Sequence, residues 1–196
     1  MDHHTSLDQA LHAVGQLLAR RGQSAAIVVV GGTALNLLQV VARATRDVDV
    51  IATATPRRDG PPSDVRPPER LPKVLTDAIR TVARDLGLPS DWLNTTVGAQ
   101  WKTGLPPGFA SRVIWHADGG LWVGVAGSVD LIYLKLYAAA DDISPASRHF
   151  TDLLALRPTA EELAAARTWI TETQDRSPAM AQALDAVTAH VRAASR

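Results

Sequence analysis

Two consecutive glycines, Gly31 and Gly32, separate a short apolar run from a helical pattern, and this arrangement constrains the fold more than any other feature. The run 26–30 is rich in β-branched residues, which is typical of a short buried strand. Residues 33–41 place their apolar side chains on one side of a helix. The sequence therefore predicts a buried strand, a tight turn and a helix in direct succession.

Two aspartates stand on the next predicted strand, residues 47–51, which reads Asp-Val-Asp-Val-Ile. Because side chains alternate along a strand, Asp47 and Asp49 should project to the same face. Two carboxylates on one face repel each other unless a proton or cation intervenes. Mg²⁺ is the expected cation, since it prefers oxygen ligands and shares them with substrate phosphates. The pair favours phosphoryl or nucleotidyl transfer, although an acidic strand face is also commonly just solvated.

The glycine turn fits the same chemistry. Gly31 and Gly32 allow the backbone to approach a phosphate closely, and the helix after them offers unpaired N–H groups. Thr33 adds a hydroxyl. A Gly-Gly pair after a strand can equally be an ordinary tight turn. The turn and the acidic pair are separated by a single helix. Together they favour a functional site over the two structural explanations, an ordinary tight turn and a solvated strand face.

The remaining pattern is mixed at first and helical later. Helices are predicted at residues 6–20 and 71–86, a short turn of helix at 91–96, and a mobile proline-rich loop at 52–68. A hairpin turn at 117–120 joins two further strands. We expect an α+β fold, with a small mixed sheet followed by a C-terminal helical region that packs on it. The predicted strands lie near 26–31, 47–52, 111–116 and 121–126, and the two regions are 1–127 and 128–196.

Composition excludes several classes of protein. The 196-residue chain has no cysteine, so disulfides, thiolate zinc sites and a cysteine nucleophile are excluded. No apolar run reaches the length of a membrane span, and the polar beginning of the chain lacks a secretory signal. Twenty basic and twenty acidic residues cancel, which weakly disfavours a dedicated nucleic-acid binder. We expect a soluble, cytoplasmic protein without a membrane partner.

Residues 29–35 and 43–50 together resemble the signature of the polymerase-β-like nucleotidyltransferase superfamily: a Gly-Gly turn, a helix, and Asp-x-Asp on the next strand. The Arg-x-Thr-x-Asp-x-Asp form resembles the bacterial AbiEii-like group, which includes toxins of toxin–antitoxin systems. Residues 130–138 resemble the lysine-bearing helix of that group. Residues 148–153 resemble its next motif, with His149 where the group has an aspartate. The resemblance covers roughly residues 25–170.

The resemblance implies a role for each matching residue. Asp47 and Asp49 would bind Mg²⁺, Lys135 would contact phosphate as a point charge, and Asp152 would act as an acid near the metal or orient Lys135. These four are the expected catalytic residues. The expected nucleotide-binding residues are Gly31, Gly32, Thr33, Arg46 and Lys135.

One departure from the superfamily pattern bears on activity. Many nucleotidyltransferases place a third carboxylate on a later strand, but the predicted strand 121–126 contains none, and Asp118 lies in the hairpin turn. The leading hypothesis is a Mg²⁺-dependent enzyme that moves a nucleoside monophosphate from an NTP to a tRNA, a protein hydroxyl or a small molecule. A toxin with a partner antitoxin is one form of it. The alternative is a catalytically degenerate module that binds an NTP or a protein partner.

Overall fold

The computed structural model describes residues 3–144 and 146–194. The chain divides into two compact units. The first comprises Met1–Trp101 and Val113–Ala126, and the second comprises Lys102–Arg112 and Gly127–Arg196. The first unit contains a six-stranded mixed sheet with helices, and the second is helical. The predicted fold class, a mixed sheet followed by a C-terminal helical region, is confirmed.

The sheet is built around one fully buried strand. All six residues of β1 are buried, as expected of an apolar strand with partners on both sides. It pairs antiparallel with β2 and parallel with β6. The strand order is β3-β2-β1-β6-β5, and β4 pairs with β2 beside that path. The strands are β1 Ala25–Val30, β2 Val48–Thr55, β3 Ser63–Arg66, β4 Leu93–Asn94, β5 Ile114–Asp118 and β6 Leu121–Val125.

The described residues of the first unit form three α-helices. They are α1 His3–Arg20, α2 Gly31–Leu37 and α3 Lys73–Leu86. Helices α1 and α3 contact each other, and α1 also packs on the β5–β6 hairpin. The hairpin turn at 119–120 lies where the sequence predicts it, since Asp118 pairs with Leu121. Helix α2 follows β1 without an intervening loop, so Gly31 and Gly32 form its first turn.

The second unit is a small helical cluster with its own core. Its helices are α4 Ser128–Asp141, α5 Arg148–Ala155, α6 Ala160–Trp169 and α7 Pro178–Ala194. Thr159 and Glu162 form a capping box at the start of α6, which satisfies backbone N–H groups that a helix would otherwise leave unpaired. Trp169, Leu163 and Leu184 lie in the buried cluster that α4, α5, α6 and α7 share.

Several predicted boundaries were wrong. Helix α2 ends at Leu37, short of the predicted residue 41. The segment 52–68 is not one loop, because β2 continues to Thr55 and Ser63–Arg66 forms strand β3. The segment 91–96 contains strand β4 rather than a turn of helix, because the Val48 N–H donates to the carbonyl of Trp92 and draws this segment onto β2. Strand β5 begins at Ile114, three residues after the predicted start.

Candidate active site

The acidic pair lies where β2 begins, with Asp47 directly before the strand and Asp49 as its second residue. Val48 and Val50 are fully buried, whereas Asp47 and Asp49 are partly exposed. Asp49 pairs with Val30, the last residue of β1. The register therefore brings Asp49 beside the point where β1 gives way to Gly31. The prediction that both acids share one face agrees with this alternating burial.

Gly31 and the Asp49 carboxylate are in close contact. A Cβ atom built on Gly31 would lie 2.5 Å from Oδ2 of Asp49. Gly31 also has a φ of +71°, in the left-handed region that glycine adopts readily. Any side chain here would meet both a backbone penalty and the carboxylate oxygen. Glycine at this position therefore leaves room for Asp49 at the end of β1.

The second carboxylate oxygen of Asp49 is held by a neighbouring strand. Asn94 lies opposite Asp49 in the β2–β4 register, and its Nδ2 donates to Oδ1 of Asp49 at 3.2 Å. The Asn94 side-chain oxygen accepts from the backbone N–H of Thr96 at 3.0 Å, which fixes the orientation of the amide. Sequence reasoning missed this residue. One local sign of it is a polar residue directly after two apolar ones, Trp92 and Leu93.

Helix α2 holds the segment that leads into the acidic pair. Thr33 is buried, and its hydroxyl donates to the carbonyl of Asp47 at 2.8 Å. Asn36 Nδ2 donates to the carbonyl of Arg43 at 3.0 Å. Two bonds from one short helix thus fix the backbone at both ends of residues 43–47. The Thr33 hydroxyl, predicted to help hold a triphosphate, is used here to hold Asp47.

Gly32 packs against this same segment. A Cβ on Gly32 would lie 2.9 Å from Oγ1 of Thr45 and 3.4 Å from Nη2 of Arg43. Thr45 is buried and Arg43 is partly buried, whereas Arg46 is exposed. The arginine beside the second glycine is therefore Arg43, and Arg46, the predicted nucleotide-binding residue, lies on the exposed side of the segment.

Asp118 does not supply the third carboxylate. Nδ1 of His12 lies 2.9 and 3.0 Å from the two oxygens of Asp118, so this acid pairs with α1. Asp118 pairs with Leu121 of β6, which in turn pairs with Ala25 at the beginning of β1, whereas Asp49 pairs with Val30 at the end of β1. The five residue steps from Ala25 to Val30 span about 16 Å. Across residues 3–144 and 146–194, no group of three or more His, Cys, Asp or Glu side chains could hold a metal ion.

Lys135 and Asp152 form an ion pair within the second unit. Nζ of Lys135 on α4 lies 2.7 Å from Oδ2 of Asp152 on α5, and the two side chains are 8% and 1% exposed. Such a buried pair is costly to break from one side, because the remaining charge would lack compensation. The structure therefore brings these two predicted residues together.

His149, which replaces an aspartate of the AbiEii-like pattern, lies near this pair. Burial lowers the pKa of His149 below its usual value, and the positive charge of Lys135 lowers it further. Desolvation and a neighbouring cation both favour the neutral imidazole. The group at this position is therefore a neutral side chain near pH 7, where an aspartate would carry a negative charge.

A second buried ion pair was not predicted from the sequence. Arg112 donates through Nε and Nη2 to the two carboxylate oxygens of Asp130, at 3.1 and 2.5 Å. Asp130 is fully buried, and this burial raises its pKa although Arg112 acts in the opposite direction. Arg112 also donates to the carbonyl of Pro107. The fork joins the turn Phe109–Arg112 to the first turn of α4.

Trp101 makes a structural contact with the edge of the sheet. Its indole N–H donates to the carbonyl of Ile51 at 2.6 Å. Ile51 lies on β2 between the residues that pair with β4 and those that pair with β3. Trp101 thus provides a hydrogen-bond donor for the Ile51 carbonyl, at a point on the edge of β2 that neither β3 nor β4 reaches.

Comparisons with known proteins point to the same part of the chain. Residues 5–59 match a family described as a nucleotidyltransferase of unknown function (DUF6036). This segment contains the Gly31–Gly32 turn and both aspartates, and the match supports a nucleotidyltransferase family. No match was found among curated proteins or solved structures. In the part of the chain that the structure describes, no helix has the length and apolar character needed to cross a membrane.

Proposed function

We propose that this protein is a Mg²⁺-dependent nucleotidyltransferase that moves a nucleoside monophosphate from an NTP to an acceptor hydroxyl. The observation that carries the proposal is the placement of the Asp49 carboxylate against Gly31, with Asp47 two residues earlier in the chain and also partly exposed. The family match over the same residues supports it.

The donor set fits magnesium. Asp47 and Asp49 offer carboxylate oxygens at the partly exposed beginning of a strand, and Gly31, which has no side chain, accommodates Asp49 Oδ2. Mg²⁺ is commonly held by one or two carboxylates together with substrate phosphates and water. Asp47 and Asp49 would be its protein ligands. When bound, the ion would neutralise charge on the triphosphate and favour attack by the acceptor hydroxyl.

The other residues of the site would position the reacting groups. Asn94 holds one oxygen of Asp49, and Thr33 fixes the backbone of Asp47. The Asp49 carboxylate and the backbone that carries Asp47 are thereby held before any ligand arrives, which lowers the cost of binding. Gly31 and Gly32 would let the phosphates approach the backbone closely. Lys135 would contact a phosphate and Asp152 would orient it, as the resemblance to the AbiEii-like group implies.

The acceptor remains open among three classes: a tRNA 3′ end, a protein hydroxyl and a small molecule. Membership of the AbiEii-like group, a role as a toxin and a partner antitoxin are parts of the proposal that depend on sequence resemblance. The equal numbers of acidic and basic residues give tRNA no special support.

A transfer assay tests the proposed reaction. The purified protein is incubated with each α-³²P-labelled NTP, Mg²⁺, and total RNA, total protein or a small-molecule extract from cells. We expect label in one acceptor pool, which disappears in Asp49→Ala. Chelation of the metal should have the same effect. Label transfer that persists in folded Asp49→Ala would disprove the assignment of the active site.

A second candidate function is favoured by the absent third carboxylate among the described residues. In this alternative the fold binds an NTP or a protein partner without transferring a nucleotide. In its NTP-binding form, this alternative predicts tight, Mg²⁺-dependent NTP binding by the wild-type protein and no label transfer to RNA, protein or small molecules. That form agrees with the proposed enzyme on NTP binding and differs from it only in transfer.

A further inference from the structure

We propose that Arg43, rather than Arg46, is the arginine that binds the phosphates of the nucleotide. The inference rests on the proposed function and concerns the same site. Its basis is a juxtaposition at the two glycines: the Asp49 carboxylate lies against Gly31, and the Arg43 guanidinium lies against Gly32.

The distances place opposite charges beside two adjacent residues, Gly31 and Gly32. Measured from the Cβ positions that the glycines lack, Asp49 Oδ2 is 2.5 Å from the first and Arg43 Nη2 is 3.4 Å from the second. The Cα atoms of adjacent residues are about 3.8 Å apart. A carboxylate beside one glycine and a guanidinium beside the next can hold a cation and an anion side by side. A magnesium ion chelated by phosphate oxygens has this distribution of charge.

The backbone of Arg43 is fixed in this position. Asn36 donates to the Arg43 carbonyl, and two residues later the buried side chain of Thr45 packs against Gly32. Thr33 then holds the carbonyl of Asp47. The side chain of Arg43 therefore starts from a fixed point near the glycines, which reduces the entropy lost when a ligand is bound.

The chemistry of arginine fits the role. A planar guanidinium donates two parallel hydrogen bonds to phosphate oxygens, and these charge-assisted bonds are stronger than neutral ones. Arg43 is partly buried, so its charge is less screened by solvent than that of an exposed side chain. Arg46 carries the same group on the same segment but is exposed. The two arginines therefore form a natural matched pair for an experiment.

The test measures phosphate binding without assuming a base. Inorganic tripolyphosphate is titrated in the presence of Mg²⁺ by isothermal titration calorimetry into the wild-type protein, Arg43→Gln, Arg46→Gln and Asp49→Asn. We expect the loss of one charge-assisted contact in Arg43→Gln to weaken binding about tenfold or more. Arg46→Gln should bind within about twofold of wild type, since exposed charges contribute little. Thermal melts establish that each variant is folded. Arg43→Lys keeps the positive charge and should bind tripolyphosphate with intermediate affinity. It replaces Arg43→Gln if Arg43→Gln does not fold.

The outcomes separate this inference from the proposed function. If the wild-type protein binds neither tripolyphosphate nor any of the four NTPs, the proposed function fails and this inference fails with it. If the wild-type protein binds and Asp49→Asn does not, the proposed site stands. In that case, the Arg43 variant is compared with Arg46→Gln. Equal tripolyphosphate affinities of the two variants would overturn the role of Arg43 and leave the proposed site intact.

Discussion

At residue 31 two independent physical demands coincide. The backbone has a φ of +71°, and the space that a side chain would fill is occupied by an oxygen of Asp49. The first demand concerns only local conformation, whereas the second links the turn to the acidic pair. Separating them experimentally shows whether the glycine serves the site or only the turn.

Gly31→Ala and Gly22→Ala form the comparison that separates these demands. Gly22 has a φ of +63° and nothing within 4 Å of its missing Cβ, so an alanine there meets backbone strain alone. Such strain costs about 1–2 kcal/mol. We expect Gly31→Ala to lose more unfolding free energy than Gly22→Ala in urea denaturation, because Asp49 must also move. Of the two variants, only Gly31→Ala should bind Mn²⁺, used in place of Mg²⁺, more weakly than the wild-type protein. Equal losses in both variants would mean that the Asp49 contact does not matter.

The candidate site residues that the sequence predicts are those carried by local patterns. The alternation Asp47-Val48-Asp49 indicates a shared face, and the glycines mark the turn, so these positions could be chosen without coordinates. Asn94 and Arg43 could not, because their importance comes from tertiary contacts. Asn94 reaches Asp49 across 45 residues, and Arg43 differs from Arg46 only in which side of the segment it occupies.

At the scale of helices and strands, the long apolar patterns were predictable and the short polar ones were not. β1 and β6 are dominated by buried apolar residues, and both were predicted to within a residue. β3 is polar, lies at the sheet edge between prolines, and alternates between partly and fully exposed residues. β4 has only two residues and exists because β2 offers it backbone partners. Neither short strand has a local hydrophobic signal.

The contact between α4 and α5 supports a prediction at this scale. Lys135→Met would leave the carboxylate of Asp152 buried without its cation, which typically costs about 3–5 kcal/mol. Adding Asp152→Asn removes that charge and keeps the shape of the side chain. In urea denaturation we therefore expect the double variant to lose less unfolding free energy than the sum of the two single variants.

The same double variant separates stability from chemistry. If Lys135 contacts a phosphate, label transfer should remain absent in the double variant even where its stability recovers. Transfer at the wild-type level in that variant would show that the pair serves the helical unit only, and the roles given to Lys135 and Asp152 by resemblance would be wrong.

At the scale of the whole molecule, the order of elements along the chain predicts a mixed α/β unit and a helical unit. What it does not reveal is the grouping of Lys102–Arg112 with the helices. That grouping depends on side chains distant in sequence: Arg112 binds Asp130, and the Gln174 amide donates to the carbonyls of Thr103 and Gly104. No periodicity within residues 102–112 encodes these partners.

Binding of Mn²⁺, a paramagnetic substitute for Mg²⁺, tests the central claim most directly. Electron paramagnetic resonance measures free Mn²⁺ during titration of the wild-type protein, Asp47→Asn, Asp49→Asn and Asp118→Asn, with Mg²⁺ added as competitor. Asp118 is the matched control because it pairs with His12 at the other end of β1. The account predicts Mg²⁺-competed binding that is lost in Asp47→Asn and in Asp49→Asn but kept in Asp118→Asn. Undiminished binding in both Asp47→Asn and Asp49→Asn would contradict it.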